Sequence, residues 1–466
     1  MSFIGIDLGT SFIKIAVMDL DTCALQRVRR IPFPEPIAGL DPFRCEFNPE
    51  DILSAVRELL AEMSDLSDGI DGVVMCTQMS CLVMMDREGK VRSNCIGWRD
   101  QRVLEPHPSN SGSYYEVLKT RITEQQRKQL GNELPPGAPI CFLFWMVEQH
   151  KLESGLIPVS LADFVLSVLC DSASSVDCTN AMAYELLNLT TLQWHFELIR
   201  ELALDKLQWP PILAHGEIVG RVQIGNRKVP CYTPVGDYQC ALAGALLDER
   251  ELSLNISTGS QVSRLTEELV LGNYQTRPFF DEKFTNTISH LPAGRSLNVL
   301  VDLITELPRA QQLDFPDPWQ YIAKVSKQSD GSDLKVNLGF FPGPRGNQGG
   351  ISHVREQNLT VGSLFRAAFE NMAENYSECA DHIWPARSWQ NVVFSGGLVR
   401  KNELLRKLIQ QKLNTPYRLC PLEEDTLLGL MVLALVFSKR VDSVKQAMHQ
   451  LRSQYSEIEN LFDEIQ

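Results

Sequence analysis

The sequence predicts an α/β fold, because short apolar β-runs alternate along the chain with amphipathic helices. Two glycine-containing polar turns, one near the N-terminus and one near residue 258, each separate a pair of β-runs. A third glycine turn near residue 396 follows a β-run and precedes a helix. The strand and helix order is therefore mixed, with antiparallel strands at the start.

The first element is a hairpin. Phe3–Ile6 is an apolar run, residues 7–11 form a polar turn, and Phe12–Met18 resumes as a strand. Gly9 suits a tight turn because it has no Cβ. The sequence therefore predicts that Asp7 belongs to the turn.

A helix follows over Glu50–Met63, with Asn48 as its cap and Pro49 in its first turn. Its apolar residues fall on one face, as expected for a helix that packs on a sheet. Further elements are predicted as the strands Val73–Cys76 and Leu82–Met85 and the capped helix Ser160–Cys170.

Near residue 250 the pattern begins again. Leu252–Ile256 is a strand, Ser257–Ser260 a turn and Gln261–Leu265 a second strand, so that Gly259 aligns with Gly9. We interpret this as an internal duplication and predict two domains, 1–245 and 246–466. The later elements are predicted as the strand Asn391–Phe394, the turn Ser395–Gly397 and the helices Asn402–Leu413 and Thr426–Phe437.

Composition excludes several functional classes. The 466 residues carry 44 Lys and Arg against 58 Asp and Glu, a formal net charge of −14, which is unfavourable for binding nucleic acid or anionic lipid. No apolar run is long enough to span a membrane. The 12 cysteines contain no Cys-x-x-Cys pair, which predicts a reducing cytoplasm and no structural zinc. We expect a monomer or homodimer that binds small molecules.

The three glycine turns are candidates for binding phosphate, because main-chain amides can approach an anion closely where no Cβ intervenes. None matches the P-loop pattern or the Gly-x-Gly-x-x-Gly dinucleotide fingerprint, which disfavours both of those enzyme classes. The alternative is that the turns are ordinary tight hairpins.

Asp237 lies where a short strand meets a helix rich in small residues, Tyr238–Leu247. A carboxylate at such a junction most often caps the helix. Opposite Asp7, however, it would complete a pair of carboxylates, one near Mg²⁺ and one accepting a proton, as phosphoryl transfer requires.

Taken together, the motifs resemble those of the FGGY carbohydrate kinases over nearly the whole chain. In chain order they are Ile6–Ser11, Trp98–Arg102, Gly137–Gln149, Thr179–Ala181, Gly236–Gln239, Ser257–Ser260 and Ser395–Gly397 with Asn402. The resemblance implies two actin-like (ribonuclease H-like) ATPase domains with a catalytic cleft between them, and an ATP- and Mg²⁺-dependent transfer to a ketose hydroxyl.

The resemblance also implies a role for each matching residue. Asp237 would be the catalytic base, and Asp7 would lie near the metal. The residues expected at the nucleotide are Thr10, Ser11, Thr258, Gly259, Ser260, Gly396, Gly397 and Asn402. The residues expected at the sugar are Gln78, Met79, Trp98, Asp100, Asp237 and Gln239.

Some positions depart from the family pattern. Phe142 replaces the signature lysine, Ser80 replaces the histidine of xylulose kinases, and residues 293–296 lack the expected Gly-Gly turn. Leu430 and Met431 are bulkier than the usual alanines. Sedoheptulose kinases are the most similar subfamily, so sedoheptulose is the expected substrate. A xylulose or ribulose kinase, a catalytically weak sugar or nucleotide sensor, and an actin- or chaperone-like ATPase are the alternatives.

Overall fold

Backbone contacts divide the chain into two compact units. The structure is a computed structural model that describes residues 1–109, 112–329 and 331–463. The first unit contains Met1–Leu246, Glu267–Phe284 and the residues from Glu424 onward, and the second contains Leu247–Thr266 and Thr285–Glu423. These units differ from the predicted sequence domains, because the chain returns to the first unit twice after Leu246.

The elements of the first 246 residues alternate between strands and helices. The strands are β1 (Ser2–Leu8), β2 (Phe12–Asp19), β3 (Ala24–Pro32), β4 (Glu46–Phe47), β5 (Ile70–Thr77), β6 (Leu82–Met85), β7 (Cys95–Ile96), β8 (Ile157–Ser160), β9 (Val176–Asp177), β10 (Leu187–Asn188), β11 (Gln193–Trp194), β12 (Ile212–Leu213), β13 (Ile218–Ile224), β14 (Arg227–Tyr232) and β15 (Val235–Gly236). The helices are α1 (Pro49–Ala61), α2 (Tyr114–Arg121), α3 (Glu124–Gln129), α4 (Pro139–Glu148), α5 (Leu161–Cys170), α6 (Cys178–Ala181), α7 (Phe196–Glu201) and α8 (Asp237–Gly244).

The remaining elements are longer helices between fewer strands. The strands are β16 (Glu251–Ile256), β17 (Ser260–Thr266), β18 (Gln275–Pro278), β19 (Phe284–Leu291), β20 (Lys335–Asn337), β21 (Gly350–Ser352), β22 (Asn391–Ser395) and β23 (Tyr417–Leu419). The helices are α9 (Gly294–Ala310), α10 (Pro318–Gln328), α11 (Val361–Ile383), α12 (Gly397–Lys401), α13 (Glu403–Leu413), α14 (Asp425–Phe437) and α15 (Val444–Asp463). No helix in the described part of the chain has the length and apolar character needed to cross a bilayer.

The main sheet of the first unit has the order β13-β14-β5-β1-β2-β3, and β15 also pairs with β5. The predicted hairpin is confirmed as the antiparallel pair β1–β2, whereas β5 runs parallel to β1. The placement of Asp7 in the turn is wrong. Asp7 lies in β1 and is paired in register with Lys14 of β2, so only residues 9–11 form the turn.

The predicted helices form with the expected caps at their starts, but α1 ends at Ala61 and not at Met63, and α8 ends at Gly244 and not at Leu247. The side chain of Asn48 accepts from Glu50 N at the start of α1, and Ser160 does the same for Asp163 N at the start of α5. Both helices bury apolar residues in the core beneath the sheet. These caps satisfy amides that would otherwise have no partner at the start of a helix.

The second unit repeats the strand pattern of the first. Its strands lie in the order β19-β17-β16-β22-β23, with β16–β17 antiparallel and β16–β22 parallel. Strands β1, β2 and β5 have the same relation to one another. This repetition agrees with the duplication inferred from the two glycine turns.

Helices α8 and α14 of the first unit touch backbone to backbone. A Cβ at Gly244 would lie 1.8 Å from Asp425 O, and one at Gly429 would lie 1.9 Å from Cys240 O. Both glycines are therefore required by packing. Leu430, which departs from the family pattern, is fully buried and packs toward Gly5 of β1.

Candidate active site

The candidate site of the first unit lies at the carboxyl ends of three parallel strands. Leu8 of β1 and Gly236 of β15 are both in register with Thr77 of β5. The residues that follow these strands therefore share one edge of the sheet, where α/β proteins commonly bind ligands. Thr10, Gln78 and Asp237 come together for this reason.

Asp237 is the first residue of α8, and Gly236 is the N-cap residue, without a side-chain capping bond. The carboxylate of Asp237 accepts a hydrogen bond from the N–H of Tyr238. Burial, followed by the negative charge of Asp7, raises the pKa of Asp237 to about 7. The carboxyl group is thus able to exchange a proton near neutral pH.

Asp7 lies nearby as a second buried carboxylate. Its Oδ2 accepts a hydrogen bond of 2.7 Å from Thr426 Oγ1 and lies 3.5 Å from Lys14 Nζ. Its Oδ1 accepts a long bond of 3.6 Å from the Cys76 thiol. Burial raises the pKa of Asp7, while Lys14 acts in the opposite direction. Lys14 also pairs with Glu424 at 2.6 Å, so the cation is held beside Asp7.

Gly236 sits between two residues that the sequence predicts at the sugar. A Cβ at this position would lie 2.6 Å from Gln239 Oε1 and 3.3 Å from Met79 Sδ. Gln239 is fully buried and donates from Nε2 to Pro278 O at 3.1 Å. Within the described chain its Oε1 has no hydrogen-bond partner. Gln239 therefore offers an acceptor beside Asp237.

Thr10, Gln78 and Trp98 form a hydrogen-bonded group. Thr10 Oγ1 donates to Gln78 Oε1 at 3.1 Å, and Trp98 Nε1 donates to the same oxygen at 3.2 Å. The three residues, together with Ser11, line a cavity of about 240 Å³. Trp98 is 40% exposed, which suits a ring that stacks on a ligand better than one that fills a core. The structure thus groups Thr10 with the residues expected at the sugar.

Asp100 is placed differently from its predicted neighbours. It is fully buried, and both carboxylate oxygens accept from Arg102, while Oδ2 also accepts from Cys45 N. These bonds hold the loop that carries Trp98. Gly137 supports the same loop, because a Cβ there would lie 1.7 Å from Trp98 O. Direct contact between Asp100 and a sugar remains a prediction.

In the second unit, the turn between β16 and β17 is tied to the start of α9. Gly294 N donates to Ser257 O at 3.0 Å, and Arg295 N donates to Thr258 O at 2.8 Å. The altered segment at 293–296 therefore still supports the turn. The hydroxyl of Ser260 is buried, where it donates to Leu291 O and accepts from Tyr376. Its predicted contact with phosphate would need those bonds to change.

The second glycine turn of this unit contains two glycines with different requirements. Gly396 has φ +94°, and a Cβ there would lie 2.4 Å from Ile256 O. At Gly397, and likewise at Gly259, a Cβ would meet no atom within 4 Å. Packing thus explains Gly396 but neither of the other two. Asn402 caps α13 through its Oδ1, which accepts from Leu405 N at 3.0 Å.

We expect Gly397→Val to leave the melting temperature unchanged but to raise the KM for ATP by about tenfold or more, since a steric clash of ~1–3 kcal/mol would then arise with the nucleotide. The KM for the carbohydrate should change little. Steady-state kinetics with each substrate varied in turn would measure both. Gly396→Ala is the control, since it should destabilise the fold itself. Equal increases in both KM values for Gly397→Val would contradict a specific nucleotide contact.

Sequence reasoning missed Lys14, Thr426 and Asp425 as parts of the site. Lys14 could have been found from the sequence, because Asp7 and Lys14 face each other in the hairpin and opposite charges at such positions attract. Asp425, whose pKa burial raises to about 6, adds a third carboxylate to the group. Thr426 could not be found by pattern, because it lies 419 residues from Asp7.

Two comparisons place these features among known folds. The chain is similar to a xylulose kinase from Lactobacillus acidophilus, with a TM-score of 0.83 and 18% identity over 100% of this chain and 97% of that one. It is also similar to Plasmodium falciparum glycerol kinase solved with ADP, with a TM-score of 0.79 and 18% identity over the same shares. Both likenesses show the two-domain actin-like fold.

Sequence comparison gives the family. Glycerol kinase of Aliivibrio fischeri is 25% identical over 270 residues, which cover 54% of this chain and 51% of that protein. The match thus spans about half the length of the curated relatives. The profile of the N-terminal domain of the FGGY family of carbohydrate kinases matches residues 2–244, more than half of the chain. With the fold and the motif residues in place, the chain belongs to the FGGY family of carbohydrate kinases.

Proposed function

We propose that the chain transfers the γ-phosphate of ATP to the terminal hydroxyl of a ketose, with sedoheptulose as the first candidate. The observation that carries this proposal is Asp237, a buried carboxyl with a pKa of about 7 at the strand edge beside Gln78. The family of the chain supports the reaction class.

In this mechanism, Asp237 accepts the proton of the sugar hydroxyl as its oxygen bonds to the γ-phosphorus. The bond between that phosphorus and the β,γ-bridging oxygen breaks, and ADP leaves with the electron pair. Lys14, held between Asp7 and Glu424, supplies positive charge for the spreading negative charge. For the second unit we propose, from its own geometry, that main-chain amides of the turn at Thr258 and Gly259 bind phosphate.

Asp7 is the carboxylate proposed to lie near a Mg²⁺ ion that arrives with ATP. Among the described residues, no group of three or more His, Cys, Asp and Glu side chains is arranged to hold a metal. Mg²⁺ bound to nucleotide takes most of its ligands from phosphate and water, so one carboxylate can suffice. Asp7 would hold it through water, and the ion would supply charge neutralisation at the phosphates.

The sugar is proposed to lie against Gln78, Met79 and Trp98. Gln78 and Trp98 line the cavity of about 240 Å³, which is many times the space that one bound water needs, and Met79 lies outside its lining. Ser80, which stands where xylulose kinases carry histidine, has φ +64° and donates to Ala183 O at 3.3 Å. This short side chain, bonded to the backbone of Ala183, supports an acceptor longer than a pentulose.

A coupled ADP-release assay over a panel of acceptors tests the proposal. The panel contains sedoheptulose, fructose, xylulose, ribulose, gluconate and glycerol, each with and without Mg²⁺. The highest kcat/KM is expected with sedoheptulose. A preference for xylulose or ribulose would replace the proposed acceptor and keep the mechanism. If none of these acceptors is phosphorylated, the result would favour the alternative of a sugar- or nucleotide-binding regulator.

The pH dependence of turnover follows from the ionisation of Asp237. Only the deprotonated carboxylate can accept the hydroxyl proton. With the pKa of Asp237 at about 7, kcat should fall about tenfold per pH unit below that value and level off above it. The kcat for the preferred sugar from about pH 5.5 to 9 would show this, with melting curves recorded at each pH as the control. A flat profile through neutral pH would contradict the assignment.

The cysteines support a proposal for the cellular compartment of the protein. All twelve cysteines are free, most of them buried. We propose a reducing cytoplasm, where such thiols persist. A monomer or a homodimer is expected, which sedimentation of the purified protein would decide.

A further inference from the structure

The first turn of α8, which carries Asp237, is held by a short segment that includes β18. The guanidinium carbon of Arg277 lies 4.3 Å from the centre of the Tyr238 ring. The residues that follow this pair are also in contact, because Gln239 Nε2 donates to Pro278 O at 3.1 Å. Both residues that follow Asp237 are therefore held by residues 277 and 278.

This segment is itself anchored to the loop before α4. Arg277 donates from Nε and Nη2 to the two carboxylate oxygens of Glu133, at 2.5 and 2.9 Å. The side chains are only 11% and 7% exposed, so the pair is shielded from solvent. Thr276 N donates to Gly131 O at 2.9 Å, and a Cβ at Gly131 would lie 2.2 Å from Thr276 O. The support of α8 is thus continuous from Gly131 to Asp237.

Arg277 also acts on Asp237 through charge. Burial and Asp7 raise the pKa of Asp237, the N–H of Tyr238 and the guanidinium of Arg277 lower it, and Asp425 of α14 raises it. Arg277 is the cation in that set. Glu133 offsets part of its charge, and the buried Glu185 also faces the guanidinium, with its pKa raised well above the usual range by burial and by Glu133. A change to Arg277 or Glu133 should therefore alter the proton affinity of Asp237, in opposite directions.

We propose that Arg277, anchored by Glu133, is a positioning residue for the phosphoryl transfer, holding the start of α8 so that the carboxylate of Asp237 faces the acceptor hydroxyl. The inference rests on the proposed function and adds to it a residue outside the motifs that identify the family. Arg277 is held rigidly, because its guanidinium makes two hydrogen bonds to Glu133 and stacks on the ring of Tyr238. Lysine cannot fully reproduce the bidentate pair or the stacking.

The test compares Arg277→Met, Arg277→Lys and Glu133→Gln, with Arg29→Met as the matched control. Arg29 pairs with Glu62 at 3.5 Å, and both side chains are largely exposed. Kinetics are measured on the full chain with ATP and the best acceptor of the panel, across pH, together with melting curves. We expect Arg277→Met to lower kcat about 10²-fold, the usual cost of a misplaced catalytic group, with the KM for ATP nearly unchanged. Arg277→Lys should recover part of the loss.

The pH profiles separate positioning from general support of the fold. The midpoint of kcat should move to higher pH in Arg277→Met and to lower pH in Glu133→Gln, whereas a purely structural role would move neither. If Arg277→Met does not fold, the other two variants decide: Arg277→Lys keeps the charge and should lower kcat without moving the midpoint, whereas Glu133→Gln should move the midpoint to lower pH. Wild-type kcat and midpoint in the Arg277 variants would overturn the inference, while an inactive Asp237→Asn variant would leave the proposed function standing. Absence of kinase activity in the wild type would overturn both.

Discussion

Asp237→Asn is expected to lower turnover by about 10²- to 10⁴-fold, the usual contribution of a positioned proton acceptor. This loss corresponds to roughly 3–5 kcal/mol of transition-state stabilisation. Asparagine has the same size as aspartate but cannot accept the hydroxyl proton. Binding of ATP and sugar should persist, since the other proposed contacts remain.

Stability should not fall in this variant. The folded protein raises the pKa of Asp237 to about 7, so folding disfavours the ionised carboxyl at higher pH. Asparagine carries no charge, and the melting temperature near pH 8 should therefore be equal to that of the wild type or higher. Asp51→Asn is the control, because Asp51 also lies in the first turn of a helix but is exposed. A folded Asp237→Asn protein with near-native turnover would remove Asp237 from the mechanism.

Gly429→Ala is expected to destabilise the first unit strongly. Alanine in a helix interior ordinarily gains about 1 kcal/mol over glycine. Here, however, its Cβ would lie 1.9 Å from Cys240 O and 2.8 Å from Cys240 Sγ. Helices α8 and α14 must separate to admit it, at a cost of ~3 kcal/mol or more, which outweighs the gain.

Thermal melts and ADP-release rates on the same preparation measure this effect. Activity should fall together with stability, because α8 carries Asp237. Gly69→Ala is the matched control, since a Cβ at Gly69 would meet no atom within 4 Å. Wild-type melting of Gly429→Ala would show that the two helices can move apart freely, contrary to the packing described above.

The elements that sequence reasoning predicted are those whose signals are local. The cap at Asn48, the hairpin β1–β2 and the junction of strand and helix at Asp237 all depend on neighbouring residues, and the structure confirms them. The sequence predicts Asp7 in the turn because aspartate is rare in strands and common in turns. In the fold, Lys14 and Thr426 satisfy the carboxylate inside a strand, so tertiary contacts override that preference.

Only part of the candidate site could be predicted, because the rest depends on contacts between residues far apart in the sequence. Family motifs supplied Asp237, Gln78 and Trp98, which the structure places at or beside one sheet edge. The roles of Arg277 and Glu133 depend on a contact between residues 144 positions apart, which no local pattern encodes. Nor could the pattern show that Asp100 is fully engaged by Arg102.

The return of the chain to the first unit from Glu424 onward bears on the order in which the protein is made. A ribosome that has released residues 1–246 has not yet supplied α14, on which α8 rests, or Thr426, which binds Asp7. Domains often fold during synthesis, N-terminal part first. Here the first unit cannot finish folding until about nine-tenths of the chain has emerged, and its buried carboxylates must stay hydrated until then. Early termination after Leu246 would therefore leave the sheet complete but α8 without its partner helix α14 and Asp7 without the hydrogen bond from Thr426, so the site would be unfinished.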